Sequence, residues 1–166
     1  MTAQIAENLL YEGETVSMCT EPLADYFLLS GTHPNFESNC TALWRGYIGS
    51  WQIREHRLYL VKLEGALDDG TDVSMATLFP DFPERVFAHW YSGNIRIPRG
   101  KQLEYVHSGY SSTFEEDLLL EIDRGVVIST RTRHNGISDS ENAPSSYGVG
   151  AMTIFPLRGK QVEETK

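Results

Sequence analysis

The sequence is short of cysteines and has no long apolar run, and each shortage removes a class of protein. Its 166 residues include only Cys19 and Cys40, which form neither a C-x-x-C pair nor a Cys/His cluster with zinc spacing. We therefore expect reduced thiols, no metal and no cofactor. No run approaches the ~18 apolar residues of a membrane span. Residues 1–16 also lack the basic start and apolar core of a signal peptide. These features predict a cytoplasmic protein that does not bind membranes.

Basic residues are also scarce, which bears on the partners that the protein can bind. The sequence has 14 Lys and Arg residues and 23 Asp and Glu residues, which gives a net charge of −9. Proteins that bind nucleic acids usually present a basic patch or stripe to the phosphates, so we expect no nucleic-acid partner. The negative charge permits a basic protein partner, although solubility alone is a sufficient explanation for it.

Helix patterns are rare, and the strand patterns that replace them predict the fold. The best helix candidate is residues 21–29, EPLADYFLL, where Glu21-Pro22 makes a suitable start. The 8 Tyr, 7 Phe and 3 Trp residues favour pleated, half-buried surfaces. Many short alternating runs are separated by turn residues. We predict an all-β or β-rich α+β fold, in which an antiparallel meander forms a sandwich or half-open barrel with one or two short helices.

The clearest alternation lies over residues 113–132 and predicts a β-hairpin with its turn at residues 123–125. Leu118 and its neighbours at every second position face one way, whereas Glu115, Asp117 and Glu121 face the other way, toward water. Further segments have less regular patterns. We predict strands at 72–78, 85–91 and 103–110, and turns at 92–94 and 98–101.

We predict that residues 1–166 form a single domain. Residues 135–150 are rich in Gly, Ser, Asn and Pro, which predicts a mobile loop. A last strand follows at 152–157, and residues 158–166 form a polar tail.

The sharpest candidate for chemistry is the segment YVHSGY. On a strand, Tyr105 and His107 share one side, and Tyr110 can follow them after a bend at a glycine. His107 could act as a general base with a carboxylate at 115–117, of which Glu116 is our candidate, while the tyrosines hold a substrate oxygen. The alternative is that His107 is a hydrogen-bonded structural residue and that the acids form the solvent face of their strand.

A second candidate is HWYSGNIRIPRG, where aromatic residues lie beside arginines. His89 and Tyr91 share a face, and Arg96 and Arg99 could hold a carboxylate or phosphate with paired hydrogen bonds. Aromatic residues beside arginine are also typical of protein interfaces. The alternative is that the arginines are ordinary exposed charges of strands and turns.

A third candidate is WRGYIGSW, in which two glycines interrupt a strand. Gly46 and Gly49 indicate bulges or a close approach of the backbone to another group. Trp44 and Trp51 could form the walls of a ligand cavity. The alternative is that the glycines curve the sheet and the tryptophans pack in the core.

Residues 41–127 contain the patterns W-R-G-Y, F-A-x-W-Y-S-G, R-I-P and Y-V-H-x-G-Y, which resemble a set of uncharacterised bacterial proteins. This resemblance implies a bacterial, cytosolic, single-domain protein. It implies no activity and no catalytic residues, because no activity is established for that set.

Two functions are compatible with these observations. The first is a non-enzymatic binding protein that engages a protein partner or a small ligand through an aromatic and arginine surface. Its candidate binding residues are Trp44, Trp51, His89, Tyr91, Arg96, Arg99, Tyr105 and His107. The second is a small hydrolase or lyase that uses His107 with Tyr105, Tyr110 and Glu116. The sequence leaves a homodimer open.

Overall fold

The computed structural model describes residues 2–136, which form eight β-strands and two short α-helices. The strands are β1 (Glu7–Tyr11), β2 (Glu14–Met18), β3 (Tyr47–Arg54), β4 (Arg57–Gly65), β5 (Val86–Phe87), β6 (Gly93–Glu104), β7 (Thr113–Asp123) and β8 (Val126–His134). The helices are α1 (Pro22–Ser30) and α2 (Met75–Leu78), and a 3₁₀ turn spans Thr41–Leu43.

The strands form one sheet in the order β2-β1-β3-β4-β8-β7-β6, with β5 paired to β4. All neighbours are antiparallel except β1 and β3. The join between β4 and β8 consists of one residue pair, Arg57 with Val126. The sheet therefore divides into two halves that meet along a narrow seam.

The two edges of the sheet come close together without closing it. The strands β2 and β6 do not pair, but the Cys19 amide, just after β2, donates to the Arg96 carbonyl of β6 at 2.9 Å. The Arg96 amide in turn donates to the Thr20 hydroxyl at 3.1 Å. The predicted fold class is confirmed: the protein is strand-rich, mostly antiparallel and half-open, with two short helices.

Tight turns with positive φ fix the hairpins. The turn between β7 and β8 places Arg124 at φ 47° and Gly125 at φ 84°, and the β1–β2 turn places Glu12 at 51° and Gly13 at 83°. Such two-residue turns match the right-handed twist of the strands that they join. The hairpin predicted over 113–132 is confirmed, as is the helix predicted at 21–29.

One hydrophobic core takes side chains from both halves of the sheet and from α1. Alternate residues of β7 point into it, as the sequence pattern predicts for Leu118. The largest core side chains that are buried almost completely are Leu9, Met18, Leu23, Tyr47, Trp51, Leu58, Leu60, Ile95, Ile97 and Leu120.

The predicted turn at 98–101 and strand at 103–110 are wrong, because β6 continues through Pro98 to Glu104. Proline lacks the amide hydrogen that a central strand would need, but β6 lies at the edge of the sheet, where that loss is tolerated. The register with β7 shifts after Arg99, and Gly100 has φ 78°. The local break in the pattern is a β-bulge within one long strand.

The strands predicted at 72–78 and 85–91 are also mostly wrong. Residues Met75–Leu78 form α2, which begins with a capping box between Ser74 and Thr77. Only Val86–Phe87 of the second segment is a strand, and it pairs with β4. The predicted turn at 92–94 is therefore not a hairpin, since Gly93 already begins β6.

The predicted strand at 152–157, the polar tail and nearly all of the predicted loop at 135–150 lie outside the described residues. At the start of that loop, Asn135 is anchored to β7 by a hydrogen bond from its amide to the Glu115 carbonyl at 2.8 Å. Within residues 2–136, no helix has the length and apolar character needed to cross a bilayer.

Candidate functional site

The candidate site is centred on a carboxylate that the strand pattern places inside the molecule. Glu7 begins β1 and lies in phase with Leu9, so both side chains point to the interior. Glu7 is 0% exposed. A charged group is rarely buried to this extent unless it is paired, so its partners decide what it can do.

Three donors surround the Glu7 carboxylate. Trp51 Nε1 donates to Oε2 at 2.6 Å, while Arg45 Nε and the Gly49 amide donate to Oε1 at 3.0 and 3.1 Å. Gly49 permits this approach, since a Cβ at that position would lie 2.5 Å from Glu7 Oε2. The expected close approach at Gly49 is present, and the group that approaches is Glu7.

Burial has the largest effect on the ionisation of the Glu7 carboxyl group. It raises the pKa of the carboxyl group from 4.5 to about 7, although the Arg45 charge and the hydrogen bonds from Trp51, Gly49 and Arg45 all act to lower it. Near neutral pH, a substantial fraction of Glu7 is protonated. The positive charge of Arg45 is then only partly compensated by this carboxylate.

Several groups contact the Arg45 guanidinium, but one of its nitrogens makes no hydrogen bond to the described residues. Its side chain is 8% exposed, Nη1 donates to the Tyr110 hydroxyl at 3.2 Å, and its Cζ lies 5.5 Å from the centre of the Tyr47 ring. Nη1 also lies 3.9 Å from Glu21 Oε2. Nη2 is buried and has no hydrogen-bond partner within the described part of the chain. An unpaired buried donor of this kind costs about 1–3 kcal/mol, so it requires an explanation.

Arg45 lines a cleft of about 520 Å³ between α1 and the start of β3. Phe27 and Leu28 of α1 supply apolar surface to this cleft. His33 also lines it; its Nδ1 lies 2.8 Å from the Pro34 carbonyl, to which it must donate. This leaves Nε2 of a neutral His33 as an acceptor. We call this space the Arg45 cleft.

The Tyr105 and His107 rings contact each other as the sequence pattern predicts, but not on a strand. They follow β6, their centroids lie 4.7 Å apart, and the Tyr105 hydroxyl lies 3.4 Å from His107 Nδ1. His107 Nε2 is buried and makes no hydrogen bond to the described residues. Tyr105 and Tyr110 line a smaller cavity of about 270 Å³ between β2 and β6.

Asp117 does not face water as predicted, because residues on and next to the two flanking strands, β6 and β8, cover its carboxylate. It is 0% exposed and accepts hydrogen bonds from Arg96 at 2.8 Å, Arg133 at 2.5 Å and Asn135 at 3.0 Å. Burial alone would raise the pKa of Asp117, but these hydrogen bonds and the Arg96 charge outweigh it and lower the pKa. Oε2 of Glu116 lies 3.8 Å from Nδ1 of His134. The carboxylates at 116 and 117 are thus engaged by groups other than His107.

The aromatic and arginine cluster predicted at 89–99 is not assembled as one surface. Arg96 is committed to Asp117 and to the carbonyls of Tyr110 and Ser112, at 2.6 and 2.8 Å. Tyr91 is buried, and burial raises its pKa to about 12. His89 and Arg99 are exposed. Because these side chains differ so much in exposure, they do not form a shared anion site.

Trp44 and Trp51 do not form two walls of one cavity. Trp51 is in the core with its ring nitrogen on Glu7, whereas Trp44 is 69% exposed. Trp44 lines a separate depression of about 480 Å³ with Gln4 and Thr41.

The sequence patterns did not single out Glu7 or Arg45. Two weak indications were present: Glu7 is an acid in phase with an apolar strand position, and Arg45 lies directly before a glycine of the W-R-G-Y pattern. Neither residue reveals its partner, because 38 positions separate them. Within residues 2–136, no group of three or more His, Cys, Asp or Glu residues is placed to hold a metal ion.

A larger depression of about 760 Å³ lies along β7 and β8, with Glu121, Ile128 and Arg131 in its lining. The buried side-chain atoms without hydrogen-bond partners among the described residues belong to Arg45, Gln102 and His107, and none of these lines that depression. The Arg45 cleft combines concave shape with an unpaired buried donor. No protein-family model, curated protein or solved structure matches the chain.

Proposed function

We propose that this is a non-enzymatic binding protein whose ligand is a small amphipathic molecule held in the Arg45 cleft. The observation that carries the proposal is that Arg45 lines the cleft while its buried Nη2 has no hydrogen-bond partner among residues 2–136. A ligand oxygen that accepts from this group would remove the cost of leaving it unpaired.

The shape and lining of the cleft support a small ligand. Its volume of about 520 Å³ falls within the range of about 300–1,000 Å³ that is usual for small-molecule sites. Phe27 and Leu28 offer apolar surface, and Leu28 is otherwise 83% exposed. The cleft therefore offers the combination of an apolar wall and a few fixed polar groups that orient a ligand.

A pair of neighbouring leucines allows a matched test. Leu28 lines the cleft, whereas Leu29 is 71% exposed and is not among the residues that line it. The wild type, Leu28→Arg and Leu29→Arg would be purified gently from the native host and denatured, and the released small molecules would be compared by mass spectrometry.

We expect the wild type and Leu29→Arg to release the same compound in near-stoichiometric amount and Leu28→Arg to release little of it. The proposal is wrong if the wild type releases nothing above background, or if Leu28→Arg releases as much as the wild type. Thermal unfolding of all three proteins shows whether each variant is folded.

One observation favours a second candidate function, a hydrolase or lyase centred on His107. Its ring is in contact with Tyr105 and has a buried Nε2 without a partner among residues 2–136. The test is hydrolysis of p-nitrophenyl acetate by the wild type and His107→Gln. A turnover that depends on His107 would support an enzyme, whereas equal rates in both proteins would reject this role.

A further inference from the structure

We infer that the ligand of the Arg45 cleft is a zwitterion, a free α-amino acid with an apolar side chain. This inference rests on the proposed binding function and names the chemical class of its ligand. It follows from the charges that face the cleft and from the position of Glu21 within it.

The charges around the cleft disfavour a simple anion. Arg45 is the positive group, but Glu7 and Glu21 lie 3.0 and 3.9 Å from its nitrogens. With Glu7 ionised the three groups sum to −1, and with Glu7 protonated they sum to zero. A ligand that brings only a carboxylate would add negative charge beside two acids, whereas a zwitterion adds none.

Glu21 is placed to take the positive end of such a ligand. It lines the cleft, its side chain is 28% exposed, and its 3.9 Å separation from Arg45 is too long for a hydrogen bond. Its side chain interacts with the Tyr110 hydroxyl, which leaves further acceptor sites on the carboxylate. An ammonium group would gain the charge-assisted hydrogen bonds that Glu21 does not make to Arg45.

The remaining lining of the cleft fits the other parts of an amino acid. Arg45 lines the cleft, and its Nη2, which has no partner among the described residues, would be the donor to the ligand carboxylate. Phe27, Leu28 and Ala24 of α1 present the apolar surface that an aliphatic or aromatic side chain would cover. Positive, negative and apolar groups therefore line the same space.

Three probes that share one phenyl ring test the contributions of the carboxylate and of the ammonium group separately. L-Phenylalanine carries both groups, 3-phenylpropanoate carries only the carboxylate, and 2-phenylethylamine carries only the ammonium. Their affinities would be measured by isothermal titration calorimetry at neutral pH. We expect L-phenylalanine to bind at least about tenfold more tightly than either single-charge probe, which corresponds to about 1.4 kcal/mol.

Glu21→Gln tests the assigned partner, and Glu64→Gln is the matched control because Glu64 pairs with Lys62 on β4 and does not line the cleft. We expect Glu21→Gln to reduce the preference for L-phenylalanine over 3-phenylpropanoate to about twofold or less. Glu64→Gln should leave the preference unchanged. Thermal unfolding would establish that both variants are folded.

Two results would overturn the inference. If 3-phenylpropanoate binds as tightly as L-phenylalanine and Glu21→Gln has no effect, the ligand is not a zwitterion, but a small molecule still occupies the cleft. If none of the three probes binds, the amino-acid assignment fails. The comparison of Leu28→Arg with Leu29→Arg then decides separately whether the cleft binds any small ligand.

Discussion

The protonation of Glu7 predicts that the protein loses stability as the pH rises from acid to neutral. Burial raises the pKa of Glu7 from 4.5 to about 7 in the folded protein. In the unfolded chain the group ionises near its ordinary value. Between these two values the folded state binds more protons than the unfolded state, so each step toward higher pH favours unfolding. The stabilisation from Glu7 is complete below pH 4.5 and is lost as the pH passes through about 7.

The magnitude follows from the size of the shift. A displacement of one pKa unit is worth about 1.4 kcal/mol, so the full effect of Glu7 is about 3 kcal/mol. Between about pH 5 and about pH 8, most of this, roughly 2–3 kcal/mol, is expected to disappear. That is a large part of the roughly 5–15 kcal/mol by which domains are usually stable.

Glu7→Gln isolates this effect because glutamine does not titrate. The variant would be less stable than the wild type with Glu7 ionised, since the Gln amide group, unlike a carboxylate, cannot accept from Trp51 and the Arg45–Gly49 pair at once. Urea unfolding at several pH values gives both free energies of unfolding. Relative to the variant, we expect the wild type to lose roughly 2–3 kcal/mol of its free energy of unfolding from about pH 5 to about pH 8.

A control and a refuting outcome complete this test. Glu64→Gln removes an exposed carboxylate that is 3.1 Å from Lys62, and its effect should stay below about 1 kcal/mol throughout. If the gap between the wild type and Glu7→Gln is constant across this pH range, Glu7 does not titrate there. The account of its burial and of the partly compensated charge on Arg45 would then be wrong.

Three further substitutions test other contacts by urea unfolding. Gly49→Ala should cost about 1–3 kcal/mol, because the new methyl group would lie 2.5 Å from Glu7 Oε2. Asp117→Asn should cost about 3 kcal/mol near neutral pH, because it leaves the Arg96 guanidinium, whose side chain is 20% exposed, without the fully buried carboxylate that pairs with it. The lowered pKa of Asp117 means that this cost fades as the pH falls through the folded-state value. Gly125→Ala should cost at least about 2 kcal/mol, because Gly125 has φ 84° and the new methyl group would lie 2.7 Å from Cε2 of the Phe87 ring. An effect below about 0.5 kcal/mol for any of the three would contradict its reasoning.

Local patterns were sufficient for two elements that turn one face to the core. The alternation over 113–132 and the Glu21-Pro22 start of α1 both reflect burial on one side, and the structure confirms both. Local patterns failed where the structure of a segment depends on residues far away in the sequence. Pro98 is compatible with β6 only because β6 is an edge strand, and the order of strands in the sheet cannot be read from a local pattern.

The buried polar groups were the hardest feature to predict. Asp117 alternates with leucines as a solvent-facing acid would, but Arg96 and Arg133 approach it from the two flanking strands. A period-two pattern shows which side chains share a face and does not show whether that face is covered. The local signal for α2, a Ser and a Thr three positions apart, was present in the sequence but lay in a short run that also fits a strand.

The Glu7–Arg45 pair is better explained by its role in fixing the position of the guanidinium than by a contribution to the stability of the fold. A buried ion pair often contributes no more than well-packed apolar side chains would, because both charges must leave water. Here the cost is visible twice, in the raised pKa of Glu7 and in the unpaired Nη2 of Arg45. What the pair does achieve is orientation, since Glu7 holds Nε and Tyr110 holds Nη1. Under the proposed function, Glu7 is a positioning residue that fixes the guanidinium beside the cleft. Glu7→Gln should then weaken L-phenylalanine binding more than Glu64→Gln does, even where both variants are fully folded.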